Sequence, residues 1–310
     1  MTTDRPLVSV VIPCYNASST LAATLRSVLA QTYPAIEVIA VDDASRDGTL
    51  AILREFAAIF GDRLKIVALE HNRGSAGARN AGIDIAQGSY LALLDADDEW
   101  FPMKTARQVD HLRSHPGDVL VGCGAQEFLT AGQATAINGN RVPTIGPTAW
   151  RMMLEYSYFV PSMVMARMEH VRAIGGFDTR RYVVDDQDFL IRLAARGNVA
   201  MVPELLVNIG YDPMSLSHRN RLREPELVLP MLRDLFEQLG DRLSARDRRK
   251  ILAVRRQRLG RNIYPVDPIR GLPHLLYAIA RAQKPLENSL FLISASQWLA
   301  PLKRIVRRSR

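Results

Sequence analysis

Short β-branched apolar runs alternate with amphipathic helical segments from Leu7 to Gly122, and this alternation constrains the fold of the 310-residue chain more than any other feature. The runs are Leu7 to Ile12, Ile36 to Val41, Leu64 to Leu69, Tyr90 to Leu94 and Val119 to Gly122. Helical segments lie between them near Ser18 to Ala30, Gly48 to Phe60, Ser75 to Ala86 and Lys104 to Arg113. Such a pattern predicts βαβ units and a largely parallel sheet flanked by helices. Sheets of this kind bind ligands beyond the carboxyl ends of their strands. The chemically notable residues fall there: Pro13-Cys14-Tyr15-Asn16 after the first run, Asp42-Asp43 after the second, and Asp95-Ala96-Asp97-Asp98 after the fourth.

From Gly124 to Pro147 the pattern weakens into Gly, Thr, Asn and Pro, which reads as a loop region with irregular strands. It resumes with a helix near Thr148 to Tyr156, an apolar Met163 to Ala166, a helix from Asp186 to Arg196 and a strand from Ala200 to Ile209 that runs into Gly210-Tyr211-Asp212-Pro213. Beyond residue 219 only helical patterns remain: Glu224 to Leu239, Ala245 to Leu259, Ile269 to Arg281 and Leu286 to Leu299. The charge divides at the same place, with a net −5 over residues 1–218 and +13 over residues 219–310. We therefore expect an α/β domain over 1–218 and a basic helical extension over 219–310.

A tail this basic seeks an anionic surface. Residues 286–310 place the apolar Leu290-Phe291-Leu292-Ile293 and Trp298 beside Lys303, Arg304, Arg307, Arg308 and Arg310, a pattern suited to the interface of an anionic bilayer. Packing of these helices on the α/β domain, or on a second copy of the chain, is the alternative. Nucleic acid is not expected, because no aromatic-interleaved motif accompanies the charge. The amino terminus has no secretory pattern, and no apolar run reaches the length of about 18 residues that a span requires. Cys14 and Cys123 cannot form a disulfide scaffold and read as buried small apolar residues in a reducing compartment. The expected location is cytoplasmic, peripheral at the inner face of the cell membrane.

Carboxylates that end a buried strand are costly unless a cation meets them. Hard oxygens suit Mg²⁺ or Mn²⁺, which keep one or two protein carboxylates and take other ligands from water and substrate phosphates. A solvated acidic turn is the alternative for Asp95 to Asp98. Asp43 can accept a hydrogen bond from an imide N–H of uracil or thymine, and guanine also offers an N–H. Capping of the next helix is its other reading, although Asp47 is better placed for that. Tyr15 offers a ring for stacking; a core aromatic is its other reading. Arg79 could contact phosphate, hold an aspartate of the acidic cluster, or make only a surface ion pair. Gly74-Ser75-Ala76-Gly77 lacks the full dinucleotide fingerprint and follows the wrong strand. Asp185-Asp186-Gln187-Asp188 opens a helix, where acids are favoured whatever their role. His218 could add a metal ligand or a phosphate hydrogen bond; an ordinary surface histidine is its other reading. His71, His111, His115, His170 and His274 show no ligand spacing and read as structural or exposed.

Four segments in register, Val8-Ser9-Val10-Val11-Ile12-Pro13-Cys14-Tyr15-Asn16, Val41-Asp42-Asp43-Ala44-Ser45-Arg46-Asp47-Gly48-Thr49, Gly77-Ala78-Arg79-Asn80-Ala81-Gly82 and Leu94-Asp95-Ala96-Asp97-Asp98, closely resemble the family 2 glycosyltransferases of GT-A fold over about residues 7–215. The resemblance implies a nucleotide-sugar site at Pro13, Tyr15, Asp43, Arg79, Asp95 and Ala96, with Asp43 reading the base. It implies Asp97 on a divalent metal bridging the diphosphate. Gly175-Gly176-Phe177-Asp178 and the acids after it resemble the family's general-base helix, which makes Asp186 the base of an inverting displacement. The family more often has Glu where this chain has Asp185, so contacts of the shorter side chain are expected to lie farther away. The acceptor implied is a hydroxyl of a glycan or lipid-linked glycan. Processive members carry a Gln-x-x-Arg-Trp motif and membrane spans; neither is found, so single-sugar addition is expected. The competing readings are a nucleotidyltransferase, which would want a Gly-rich phosphate loop after the first strand, and a non-catalytic nucleotide-sugar-binding scaffold.

Overall fold

The structure, a computed structural model, describes residues 5–129, 133–137, 146–210 and 219–281. His218, the expected helix from Leu286 to Leu299 and the basic segment 286–310 lie outside the described residues. The chain divides into two compact units, residues 1–153 with 157–212 and residues 154–156 with 213–310.

The first unit is built on a sheet of nine strands: β1 (Val8–Cys14), β2 (Ile36–Asp42), β3 (Leu64–Ala68), β4 (Tyr90–Leu93), β5 (Glu99–Trp100), β6 (Asp118–Leu129), β7 (Gln133–Ile137), β8 (Met165–Arg167) and β9 (Asn198–Ile209). Its helices are α1 (Leu21–Leu29), α2 (Thr49–Phe60), α3 (Gly74–Ile85), α4 (Lys104–Ser114), α5 (Ala149–Glu155, whose end belongs to the second unit), α6 (Met168–Ala173) and α7 (Asp185–Ala194). The strand order is β3-β2-β1-β4-β8-β6-β9-β5, with β7 branching from β6. Pairing is parallel across β3-β2-β1-β4, as the βαβ pattern predicts. Beyond β4 the sheet is mixed: β8 runs antiparallel to both β4 and β6, and β6 and β9 pair in parallel.

Strands in the parallel half are continuous apolar runs because helices cover both faces. Val8, Val10, Val11, Ile12, Val38, Ile39, Ala40 and Val41 have no exposed surface. Polar groups at the amino ends of these strands are satisfied locally. Glu37 accepts from Ser9 Oγ at 2.6 Å, Lys65 Nζ at 2.7 Å, and the amides of Gln87 and Gly88 at 2.6 and 3.1 Å. These bonds outweigh the cost of burial and hold the carboxyl below the usual glutamate range.

In the region from 124 onward, expected as loop with irregular strands, β6 continues to Leu129, with register shifts, and pairs with β7. Composition hid this strand because its middle is shaped by packing. At Gly122 an added Cβ would sit 2.1 Å from the Phe159 ring, so the strand requires glycine for close approach, and the β6–β9 register shifts at Gly124.

The second unit is helical, with α8 (Glu224–Leu239), α9 (Ala245–Ile263) and α10 (Pro268–Arg281). Its core is Val228, Met231, Leu232 and Leu235 of α8, Ile251, Leu259 and Ile263 of α9, and Leu275 of α10. Ser244 and Asp247 form a reciprocal capping box at the start of α9, with both bonds at 3.1 Å. Residues 154–156 join this unit: Arg255 Nε donates to the Leu154 carbonyl at 2.6 Å, and Lys250 pairs with Glu155 at 2.8 Å. No helix among the described residues is long and apolar enough to cross a membrane.

Candidate active site

The carboxyl ends of β1, β2 and β4 and the start of α7 bring the acidic residues to one end of the sheet. Asp43 follows β2 and is buried. Its amide bonds to the Cys14 carbonyl at 2.8 Å, and its Oδ1 accepts from the Arg73 amide at 2.7 Å. Burial nevertheless pushes its carboxyl above the usual range. Asp42 is buried beside it with an Oδ1 that has no hydrogen-bond partner. Pro13 is half-buried in β1, and the Tyr15 side chain is half exposed just after it. Asp47 performs the capping expected of it, accepting from the amides of Thr49 and Ser18.

Arg79 of α3 ties the two acidic clusters together. One guanidinium nitrogen lies 2.8 Å from Asp185 Oδ2 and the other 2.7 Å from Asp95 Oδ1, and the group sits over the Phe177 ring. Arg79 thus holds an aspartate of the acidic cluster, and it does so buried rather than on the surface. Asp185 also accepts from Ser75 Oγ at 2.9 Å. The greater distance expected from its shorter side chain is absent, because α3 and α7 bring the partners to it. Asp186 is half-buried, and its carboxyl is pushed up to about 7, first by burial and then by the neighbouring Asp185 charge, with Arg79 opposing. Asp188 braces the helix through Arg192, at 2.6 Å.

The turn Asp95 to Asp98 closes through a bond from the Asp98 amide to the Asp95 carbonyl at 3.1 Å. Thr20 and Thr24 of α1 both donate to the Ala96 carbonyl, at 2.8 and 3.0 Å, so Ala96 contributes backbone. Asp97 is exposed, and Asp98 is buried. Burial, together with the charges of Asp95 and Asp97, raises the Asp98 carboxyl well above its ordinary value. That surplus of negative charge on hard oxygens fits a hard divalent cation. Among the described residues the acidic cluster does not by itself bring three ligand atoms within 4.8 Å of one another, so such an ion would need further ligands.

Three residues with φ above zero that are not glycine surround this end of the sheet: Asn16 at 50°, Ala44 at 58° and Val183 at 69°. For a β-branched residue such as Val183 that conformation is strained, and it immediately precedes the buried Val184 and the acids of α7.

Residues 9–173 match the family model described as Glycosyl transferase family 2. The chain belongs to that family. The amylovoran biosynthesis glycosyltransferase AmsB of Erwinia amylovora is 32% identical over 211 residues, covering 64% of this chain and 68% of that protein. The UDP-Glc:alpha-D-GlcNAc-diphosphoundecaprenol beta-1,3-glucosyltransferase WfaP of Escherichia coli is 40% identical over 108 residues, covering 35% of this chain and 42% of WfaP. Against several curated relatives the chain spans less than half their length. The crystal structure of S. aureus TarS 1–349 superposes with a TM-score of 0.67 at 20% identity, covering 89% of this chain and 79% of that one. The mannosyltransferase PcManGT from Pyrobaculum calidifontis, in complex with GDP-Man and Mn²⁺, gives 0.61 at 21% identity, covering 99% and 82%. The fold of this family 2 glycosyltransferase is therefore GT-A.

Its site also uses residues that motif reading passed over. Ser162 donates to Asp98 and accepts from the Asp95 amide at 3.0 Å, so one buried hydroxyl ties both ends of the acidic turn. Trp100 Nε1 holds the Ser162 carbonyl at 2.9 Å, and the fully buried Lys104 lies 3.8 Å from the Trp100 ring centre. The Gly210 amide donates to Asp98 at 2.9 Å, and a Cβ there would sit 2.3 Å from the Asp97 carbonyl. Only the glycine after β9 announced itself in the sequence; nothing local marks Ser162.

Proposed function

We propose that the chain transfers a single sugar, with inversion, from a nucleoside-diphosphate sugar to a hydroxyl of a glycan or lipid-linked acceptor. The catalytic domain is residues 1–218, and residues 219–310 are a basic extension that seeks the anionic inner face of the cell membrane through residues 286–310. The observation that carries this reading is the Arg79 bridge, which joins the turn after β4 to the helix bearing Asp186. A carboxylate poised near neutrality beside that bridge suits a general base.

Asp186 takes the proton of the acceptor hydroxyl as that oxygen attacks the anomeric carbon. The bond from that carbon to the diphosphate breaks on the opposite face, and the nucleoside diphosphate departs. Arg79 keeps Asp95 and Asp185 in register, so donor and acceptor meet at a fixed separation. Asp43 accepts the imide N–H of uracil, Tyr15 stacks on the base, and Pro13 and Ala96 shape the pocket with backbone; UDP is the preferred carrier. Asp97 would hold Mg²⁺ or Mn²⁺, with His218 a further candidate ligand, and the ion would neutralise charge on the leaving diphosphate. Support comes from TarS in complex with UDP-GlcNAc, from the Mn²⁺ complex of PcManGT and from the diphosphoundecaprenol acceptor in the name of WfaP.

The test is release of nucleoside diphosphate from a panel of UDP-, dTDP- and GDP-sugars, with Mn²⁺ or with EDTA. Turnover of a UDP-sugar that needs the metal and is lost in both Asp97→Ala and Asp186→Asn is the expected result. Absence of both turnover and nucleotide binding across the panel overturns the reading.

A further inference from the structure

We infer that His111, His115 and Asp118 form a binding site for a zinc-like transition-metal ion at the amino end of β6, at the edge of the sheet opposite the acidic cluster. β6 runs parallel to β4 through their shared antiparallel neighbour β8, so the start of β6 and the end of β4 lie on opposite edges. The last turn of α4 carries His111, His115 follows as its cap, and Asp118 begins β6. One ligand atom from each of the three residues lies within 4.8 Å of the others, and His111 Nε2 lies 2.8 Å from Asp118 Oδ2. Bonds of about 2.0–2.2 Å in a tetrahedral site hold neighbouring ligands roughly 3.3 Å apart. That pair therefore has to open by only about half an ångström.

Hydrogen bonding fixes the tautomer of His115. Its Nδ1 lies 3.0 Å from the His111 carbonyl, which can only accept, so Nδ1 carries the proton and Nε2 the lone pair. A ligating histidine usually makes this outer bond to a backbone carbonyl. In the metal-free form His111 Nε2 carries a proton toward Asp118; for an ion to bind there the neutral ring carries that proton on Nδ1 instead. The two rings stack with centres 4.3 Å apart and planes 13° apart, so the exposed His115 ring must turn for the lone pairs to converge.

Arg167 holds the backbone on both sides of the cluster. It donates to the carbonyls of Asp118 at 2.8 Å, Leu112 at 2.6 Å and His115 at 3.2 Å. Its charge opposes a cation, whereas the carboxyl end of α4 favours one. Two imidazoles and one carboxylate select Zn²⁺ over Mg²⁺, in contrast to the all-oxygen cluster at the other edge. Three protein ligands leave one position for water. The expectation that His111 and His115 lack ligand spacing missed their helical stacking one turn apart, completed by an aspartate three residues later.

The experiment uses the full chain without an affinity tag, stripped of metal by a chelator. Zn²⁺ is titrated against a chromophoric chelator in excess Mg²⁺, which competes for all-oxygen sites. One Zn²⁺ per chain is expected, retained in Asp97→Ala and weakened at least about 10-fold in both His115→Ala and Asp118→Asn. Co²⁺ should give the intense visible absorption of a four-coordinate site, absent from His115→Ala. His115 is exposed, so its removal leaves the fold intact, and thermal melting without metal checks this. Zn²⁺ binding that is absent, or that is unchanged in His115→Ala, overturns the proposal.

Discussion

Carboxylates at the two edges of the same sheet are shifted in opposite directions. Glu37, near the amino end of β2, is held below its usual range, because bonds from Lys65, Ser9 and the Gln87 amide outweigh its desolvation. Asp43, Asp98 and Asp186, at the carboxyl edge, are all raised, because desolvation and neighbouring acids outweigh the donors they have. Glu37, whose role is architectural, is thus fully satisfied, whereas the acids at the carboxyl edge are left under-satisfied where a ligand can supply the missing donors or charge. Net charge does not distinguish these places; local pairing does.

The sharpest way to break this contrast is Asp186→Asn, expected to lower turnover by about 10²- to 10⁴-fold in a nucleoside diphosphate release assay while donor binding persists. In the wild type, activity should rise with pH through about 7 as Asp186 loses its proton. Stability runs the other way. The folded form binds a proton more tightly than an unfolded aspartate, so the contribution of this group to stability is greatest below about 4 and is lost as pH rises through about 7. Denaturant melts at several pH values should show that slope flattened in Asp186→Asn.

Next in size is Arg79→Met, which strands Asp95 and Asp185 and should cost about 3–5 kcal/mol in chemical denaturation. At the architectural edge, Glu37→Gln should cost about 1–3 kcal/mol by leaving donors unmet. It should also remove a loss of stability that the wild type suffers on acidification, since a depressed carboxyl stabilises above its unfolded pKa and ceases to do so as pH falls through the folded one. Least of all, Thr24→Val removes one of two hydroxyls on the Ala96 carbonyl, and a thermal melt should register about 0.5–1.5 kcal/mol.

Much of the fold was legible because covered parallel strands must be apolar throughout, and helices between them must be amphipathic. The limits of α8 agree with its apolar periodicity from Glu224 to Leu239. By contrast β6 beyond Gly122 was obscured, since glycines admitted by the Phe159 ring and by a register shift look locally like loop. Among the candidate site residues, Asp43, Arg79, Asp95, Ala96 and Asp186 lie along the carboxyl edge of the sheet. Ser162 was invisible: its value is a pair of hydrogen bonds to residues more than sixty positions away.

By itself the sequence determined the alternation of strands and helices, the edge of the sheet where acids collect and the division of charge between the acidic first part and the basic remainder. These follow from local patterning, which each segment carries whatever its neighbours do. Only the tertiary structure decided which acids are paired. It set Arg79 between Asp95 and Asp185, left Asp186 beside them with a raised pKa, and folded His111, His115 and Asp118 into one cluster. Pairing and desolvation depend on distances between segments far apart in the chain, and those distances exist only once the sheet has closed around its core.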